Sequence, residues 1–339
     1  MSLPHRFNDV SQLEDCLSSP SEALVNDLGR VPGDLMILGV GGKMGPTLAR
    51  MAKRAAPNRH VIGVARFSEP GLRTQLEEQG VDCVSGDLLD PETLDRLPAA
   101  PNIIFMAGRK FGSTGSEWLT WAMNSHLPAL VAQRFSESRL VVFSTACVYP
   151  FTQTHGAGTP ESGALEPVGE YANSCVARER LFQYFSHQHQ TPGRLLRLSY
   201  AIDMRYGVLH DVANKVLQHQ AIDLAMGYAN IIWQGDANER ALRALAHCDT
   251  PTSPLNLSGP RVSIREAAIG LGERLGIEPR FTGTEADSAL LIDCTQADRL
   301  FGPPQVGLDR LLDWTADWVR RGGASLDKPT HYEARDGKY

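Results

Sequence analysis

The feature that most restricts this chain is a regular alternation of short apolar runs with longer segments of helical pattern. LMILGV (35–40), HVIGVAR (60–66), VDCVSGD (81–87), NIIFMAG (102–108), RLVVFSTACVY (139–149) and RLLRLSY (194–200) read as strands. Residues 43–56, 71–79, 116–136 and 170–188 read as helices between them. Strands that are apolar throughout are covered on both faces, and that requires a parallel sheet with helices on each side. The pattern predicts an α/β fold, a doubly wound parallel sheet of Rossmann type over residues 31–200.

After Tyr200 the rhythm loosens. Helical patterns near 207–219, 235–247, 263–275 and 307–321 mix with short strands such as NIIWQ (230–234) and PLNLSG (254–259). Residues 201–326 are expected to form a smaller C-terminal α+β lobe on the substrate side. Ahead of the RVPGD break, residues 1–30 read as a helical extension, with Leu13, Leu17, Leu24, Val25 and Leu28 at helical spacing. Residues 327–339 form a polar tail, either loose or folded back.

Composition narrows the partners. The chain carries a net charge of −6 with scattered Lys and Arg, which excludes the basic face of a nucleic-acid or membrane-surface binder. No apolar run approaches the roughly 20 residues of a membrane span. The six cysteines show no metal-ligand spacing, so no metal is expected and free thiols in a reducing cytoplasm are the simplest reading. The N-terminus lacks the basic-then-apolar order of a signal peptide. The expectation is a cytoplasmic protein that acts on a small molecule.

Gly39, Gly42 and Gly45 stand directly after the first strand and at the mouth of the first helix. In that order they permit a tight turn, let a pyrophosphate approach the backbone, and let helix and strand pack closely. The helix N-terminus adds free N–H groups and a positive dipole end. At the end of the second strand, where a carboxylate would bind ribose hydroxyls, the chain has Ala65 and then Arg66. An arginine there suits a 2′-phosphate, which predicts NADP. NAD remains the alternative if Arg66 only stacks on adenine or faces solvent. Asp87 is placed either to accept from the adenine amine or to cap its own loop.

The order of these pieces resembles the extended short-chain dehydrogenase/reductase family, also called the NAD-dependent epimerase/dehydratase family. The matching segments are the glycine turn, GDLLD (86–90), IIFMAG (103–108), Asn124, VVFSTACVY (141–149), YANSC (171–175) and LLRLSY (195–200). The resemblance implies that Gly39, Gly42, Lys43, Met44, Gly45, Arg66, Asp87, Leu88, Ala107, Gly108 and Asn124 hold the cofactor. It also implies a homodimer through the helices near 116–136 and 170–188.

In that family a hydroxyl, a tyrosine and a lysine act together. Carried over by position, the hydroxyl is Thr145, with Ser144 beside it, and the tyrosine is Tyr171. The lysine position holds Cys175, which reads as a small packing residue, with a thiol nucleophile as the alternative. An ordinary tyrosine is only about 0.3% ionised near pH 7.5, and a nearby cation is what raises that fraction. Without one, Tyr171 is weakened as a base more than as an acid. Lys110, on the loop after the fourth strand, is the candidate substitute, with an ordinary surface cation as the alternative.

The family's Asn and Pro–Gly pair after the sixth strand are missing; the chain reads LSYAIDMRYG (198–207). Ser144, Tyr200, Arg205, Trp233 and Gln234 are the candidate substrate contacts. Arg205 equally suits a structural ion pair, and Trp233 the core. Two functions fit. One is an NAD(P)-dependent oxidoreductase or epimerase acting on a polar carbonyl or hydroxyl compound such as a sugar derivative. The other is a non-catalytic NADP(H)-binding sensor. The retained Thr145–Tyr171 pair supports the first, and Cys175 the second.

Overall fold

The computed structural model describes residues 3–338. Two helices come first, α1 (Val10–Leu17) and α2 (Glu22–Gly29). The alternating region follows: β1 (Leu35–Leu38), α3 (Gly45–Ala55), β2 (Val61–Ala65), α4 (Leu72–Glu78), β3 (Asp82–Ser85), α5 (Pro91–Arg96) and β4 (Asn102–Phe105). Next are α6 (Glu117–Trp121), joined by a π turn to α7 (Leu127–Arg134), then β5 (Arg139–Thr145), α8 (Gly169–His189) and β6 (Gly193–Leu198). The remaining helices are α9 (Val208–Leu217), α10 (Gln234–Arg243), α11 (Ile264–Leu275), α12 (Thr295–Phe301) and α13 (Leu308–Arg320). Between α10 and α11 lies β7 (Ser253–Leu257).

β1 to β7 form one parallel sheet in the order β3-β2-β1-β4-β5-β6-β7. The apolar strands have the cause expected of them. Leu35 and Ile37 of β1 enter a core with α2 and α3, whereas Met36 and Leu38 enter a second core with α7 and α8 on the other face. The strand order reverses between β1 and β4. Their carboxyl ends therefore diverge around a crevice, the usual ligand position in such sheets.

Two boundaries differ from the sequence reading. PLNLSG does not belong to the lobe: it is β7, paired with β6 at the edge of the sheet. The chain leaves the sheet after Leu198, visits the lobe and returns, and short linear segments carry no mark of such a return. The N-terminal extension also joins two bodies. Leu13 and Leu17 of α1 pack in the lobe core with Trp233 and Trp314, while Leu24 and Leu28 of α2 pack against the sheet.

α8 positions the site most directly. Ala172, Cys175, Glu179, Phe182 and Ser186 are buried at three- and four-residue intervals and aim one face at β5. Glu179 locks that face in place. Its carboxylate lies 2.6 Å from Arg197 of β6 and accepts the Ser144 hydroxyl of β5 at 2.6 Å. Breaking such a buried pair from one side costs about 3–5 kcal/mol. The tail is folded back. Thr330 donates to Asp211, Arg335 bonds Ser288, and Gly337 packs against Gly169 at the start of α8. Among the described residues no helix is long and apolar enough to cross a membrane, and no cluster has the composition of a metal site.

Candidate functional site

Two cavities lie side by side across the carboxyl ends of β1 and β4. The larger, about 530 Å³, reaches from the glycine turn to Tyr171 and the lobe. The smaller, about 360 Å³, runs from the glycine turn to the ends of β2 and β3. They share Gly39, Gly42, Met106 and Gly108, so together they make one elongated cleft bent over the turn.

The turn fits a dinucleotide pyrophosphate. A Cβ on Gly45 would fall 2.2 Å from the Val40 carbonyl oxygen, and one on Gly39 would fall 2.6 Å from the Ala107 amide nitrogen. Those two glycines bring helix and strand ends together. At Gly42 a Cβ would meet nothing closer than 3.5 Å, so that face is open cradle. No side chain caps the N-terminus of α3, which leaves its amides for an anion. Arg66, Asp87, Leu88 and Ala107 line the smaller cavity together with Ser68 and Glu69. Asp87 also caps its own loop by accepting from the Leu89 amide at 3.0 Å.

In the larger cavity Thr145, Tyr171, Lys110, Ser144 and Tyr200 come together. Thr145 ends β5, and its hydroxyl oxygen accepts the Cys147 amide at 3.2 Å. Its side chain is also hydrogen-bonded to Tyr171. Burial pushes the Tyr171 phenol well above its ordinary range, and the Cys175 and Cys147 thiols add to the rise. The Arg178 guanidinium and the Thr145 hydrogen bond oppose it only in part. Cys175 is fully buried among Ala146, Val148 and Tyr149, and its thiol is itself raised by burial. It is a packing residue. Lys110 Nζ lies 5.8 Å from the centre of the Tyr171 ring.

Several sequence expectations are corrected. Asn124 lines neither cavity. It is buried and holds the loop after β4, accepting from the Arg109 amide at 2.9 Å and from Arg178 at 2.6 Å. Arg205 is bound to Asp203 and Glu14, each at 3.0 Å, and faces no ligand space. Trp233 is core, stacked on Phe7 with ring centres 6.1 Å apart. Gln234 is fully buried and donates to Thr47 at 3.1 Å. Ser144 touches the cavity, but its hydroxyl is committed to Glu179. Lys43 and Met44 line the larger cavity, and the Lys43 side chain extends away from the turn to the Ala201 carbonyl at 2.9 Å. Lys328, at the cavity wall from the tail, has no sequence signal, because nothing local ties a polar C-terminal segment to the sheet edge.

The sequence model of the NAD dependent epimerase/dehydratase family matches residues 35–248. Among solved structures, dTDP-glucose 4,6-dehydratase from Bacillus anthracis in complex with NAD superposes with a TM-score of 0.73 at 14% identity, over 86% of this chain and 97% of that one. UDP-glucuronic acid 4-epimerase from Bacillus cereus, with UDP-glucuronic acid and NAD, superposes at 0.69 and 16% identity, over 85% and 99%. MoeE5 in complex with UDP-glucose and NAD superposes at 0.68 and 20% identity, over 86% and 99%. At these identities the likeness is one of fold. No curated protein matches the chain closely enough to compare.

Proposed function

Because this chain belongs to the NAD dependent epimerase/dehydratase family and is an enzyme of that type, we propose that it is an NADP-dependent oxidoreductase for the carbonyl or hydroxyl group of a small polar compound. The observation that carries this reading is the Thr145–Tyr171 pair, hydrogen-bonded inside a cleft that continues to the glycine turn. The nicotinamide supplies hydride transfer when bound. Arg66 would hold the 2′-phosphate, the amides at Gly42 and the start of α3 the pyrophosphate, and Asp87 and Leu88 the adenine side. NAD is what the structural neighbours carry; the exposed Arg66 in the adenosine cavity is what favours NADP here.

The protein's own groups divide the work. Thr145 accepts from the backbone and is hydrogen-bonded to Tyr171, so the two hydroxyls together would polarise the substrate oxygen. Tyr171 holds a proton firmly, since its phenol is pushed upward by burial. A neutral phenol suits proton donation, so reduction of a carbonyl is the favoured direction. Lys110, whose Nζ lies over the Tyr171 ring, would meet the nicotinamide ribose or the substrate in place of the lysine that Cys175 displaces. Trp118 and Tyr184 are exposed on α6 and α8, and this supports a homodimer joined along those helices.

The test is Tyr171→Phe. Across a panel of sugar-derived ketones and aldehydes with NADPH, turnover should fall by about 10²–10⁴, the usual contribution of a positioned acid, while NADPH affinity changes less than about threefold. Normal turnover in the variant would remove Tyr171 from the mechanism.

A further inference from the structure

The wall of the larger cavity has one sign. Lys43, Arg109, Lys110 and Lys328 line it, and among the described residues no Asp or Glu does. The chain as a whole has a net charge of −6, so this is a local feature. A concave wall of one charge concentrates its potential and draws in ligands of the other.

Two of the four cations meet at the lobe end. Lys43 begins in the glycine turn, but its Nζ lies 3.7 Å above the Tyr206 ring and bonds the Ala201 carbonyl, both on the loop after β6. Lys328 arrives on the tail, which is pinned two residues later where Thr330 donates to Asp211 at 2.6 Å. Both side chains line the same end of the cavity, and the tail reaches that loop where the Leu326 amide donates to the Arg205 carbonyl at 3.0 Å.

The protein provides no counter-ion for them. The charged groups facing Lys43 are Asp203 and Arg205 on its partner loop, Asp211 on α9, and Lys328 on the tail. Asp203 is paired with Arg205, and Asp211 is held by the Thr330 amide and hydroxyl rather than by either lysine. Neither Lys43 nor Lys328 forms an ion pair with a described carboxylate. Burial is the main cause that pushes the Lys43 ammonium down to about 7. A desolvated amine without an ion-pair partner is costly to keep charged, and an incoming anion reduces that cost.

We infer that Lys43 and Lys328 form an anion subsite at the lobe end of the cavity, and that the substrate is a small polar compound bearing a carboxylate or phosphate group. The inference rests on the reading of this cavity as the active site. The cofactor's pyrophosphate is the other source of the same chemistry, but its cradle is Gly42 and the start of α3, whereas both lysines meet at the loop after β6.

The experiment fills the cofactor site first. Protein saturated with NADPH is titrated by calorimetry with D-gluconate, inorganic phosphate and neutral D-sorbitol. At least one anion should bind tenfold or more tightly than sorbitol. Lys43→Met and Lys328→Gln should each weaken that anion tenfold or more, with NADPH affinity within threefold of wild type. Anion affinity should fall between pH 6.5 and 8.5 as Lys43 loses its proton, and this dependence should vanish in Lys43→Met. Thermal melts confirm that the variants fold; methionine keeps the length of the lysine stem. Sorbitol binding as tightly as the anions, or anion affinity unchanged in both variants, would overturn the inference. A parallel loss of NADPH affinity would give the pair to the cofactor and overturn it as well. Failure of the wild type to bind NADPH at all would strike the functional reading instead, and the same titrations report that separately.

Discussion

Replacing Arg66 with alanine should erase the preference for NADPH over NADH. Arg66 is exposed and lines the smaller cavity beside Ala65, with Ser68 and Glu69 nearby. A 2′-phosphate brings close to two negative charges, and a unit pair at about 4 Å is worth about 1 kcal/mol in water and about 4 at an effective dielectric of 20. Exposure places Arg66 nearer the first limit, and a charge-assisted hydrogen bond contributes about 1.5–3 kcal/mol. At 1.4 kcal/mol per tenfold, the NADPH dissociation constant should rise about 10- to 150-fold. NADH, which lacks that phosphate, should bind within about threefold of wild type. Glu69 sharpens the test, because without Arg66 its carboxylate repels the phosphate. Fluorescence titration of both cofactors at 50 and 500 mM salt reads the result. The wild-type preference should shrink at high salt, since exposed charges are screened. Equal binding of both cofactors by wild type, or a preference untouched in the variant, would refute the reasoning.

Gly45→Ala and Gly42→Ala should separate packing from binding. The first sets a Cβ 2.2 Å from the Val40 carbonyl oxygen and should cost about 3 kcal/mol or more, read as a lowered Tm. The second meets nothing closer than 3.5 Å, so its Tm should hold while NADPH affinity falls at least about tenfold. The two directions of reaction should differ in pH dependence. Oxidation needs the Tyr171 phenolate, and burial holds that phenol well above 10. Below its pKa the phenolate fraction rises tenfold per pH unit, so kcat/KM for oxidation should climb through pH 9, whereas Tyr171 as the acid imposes no such limb on reduction. An oxidation plateau below pH 8 would show that a bound cation does lower the phenol.

The sheet was legible because its central strands β1, β2, β4 and β5 are buried and so announce themselves as apolar runs. The glycine turn was legible because Gly39 and Gly45 sit where backbone meets backbone. β7 was misplaced because a five-residue strand at a sheet edge looks the same whether the chain has returned to that sheet or stayed in a lobe. Arg205, Trp233 and Gln234 carry side chains that suit a pocket, yet each finds its partner inside the protein. Apart from Asp203, which also pairs with Arg205, those partners are Glu14, Phe7 and Thr47, and they lie 187 or more residues away in sequence. Asn124 was assigned to the cofactor, and it acts one layer below, on the loop that lines the cleft. The cation pair was hidden for a related reason. Lys43 was read through its backbone position in the turn, and its side chain answers to a loop more than 150 residues on.

The most direct measurement of the central claim is the structure of the protein crystallised with NADPH. The account predicts the adenosine half along Arg66 and Asp87, the pyrophosphate over Gly42, and the nicotinamide C4 within about 4 Å of the Tyr171 hydroxyl, near the separation that reacting groups require. A nicotinamide ring lodged elsewhere, with Tyr171 and Thr145 turned away from it, would contradict the account.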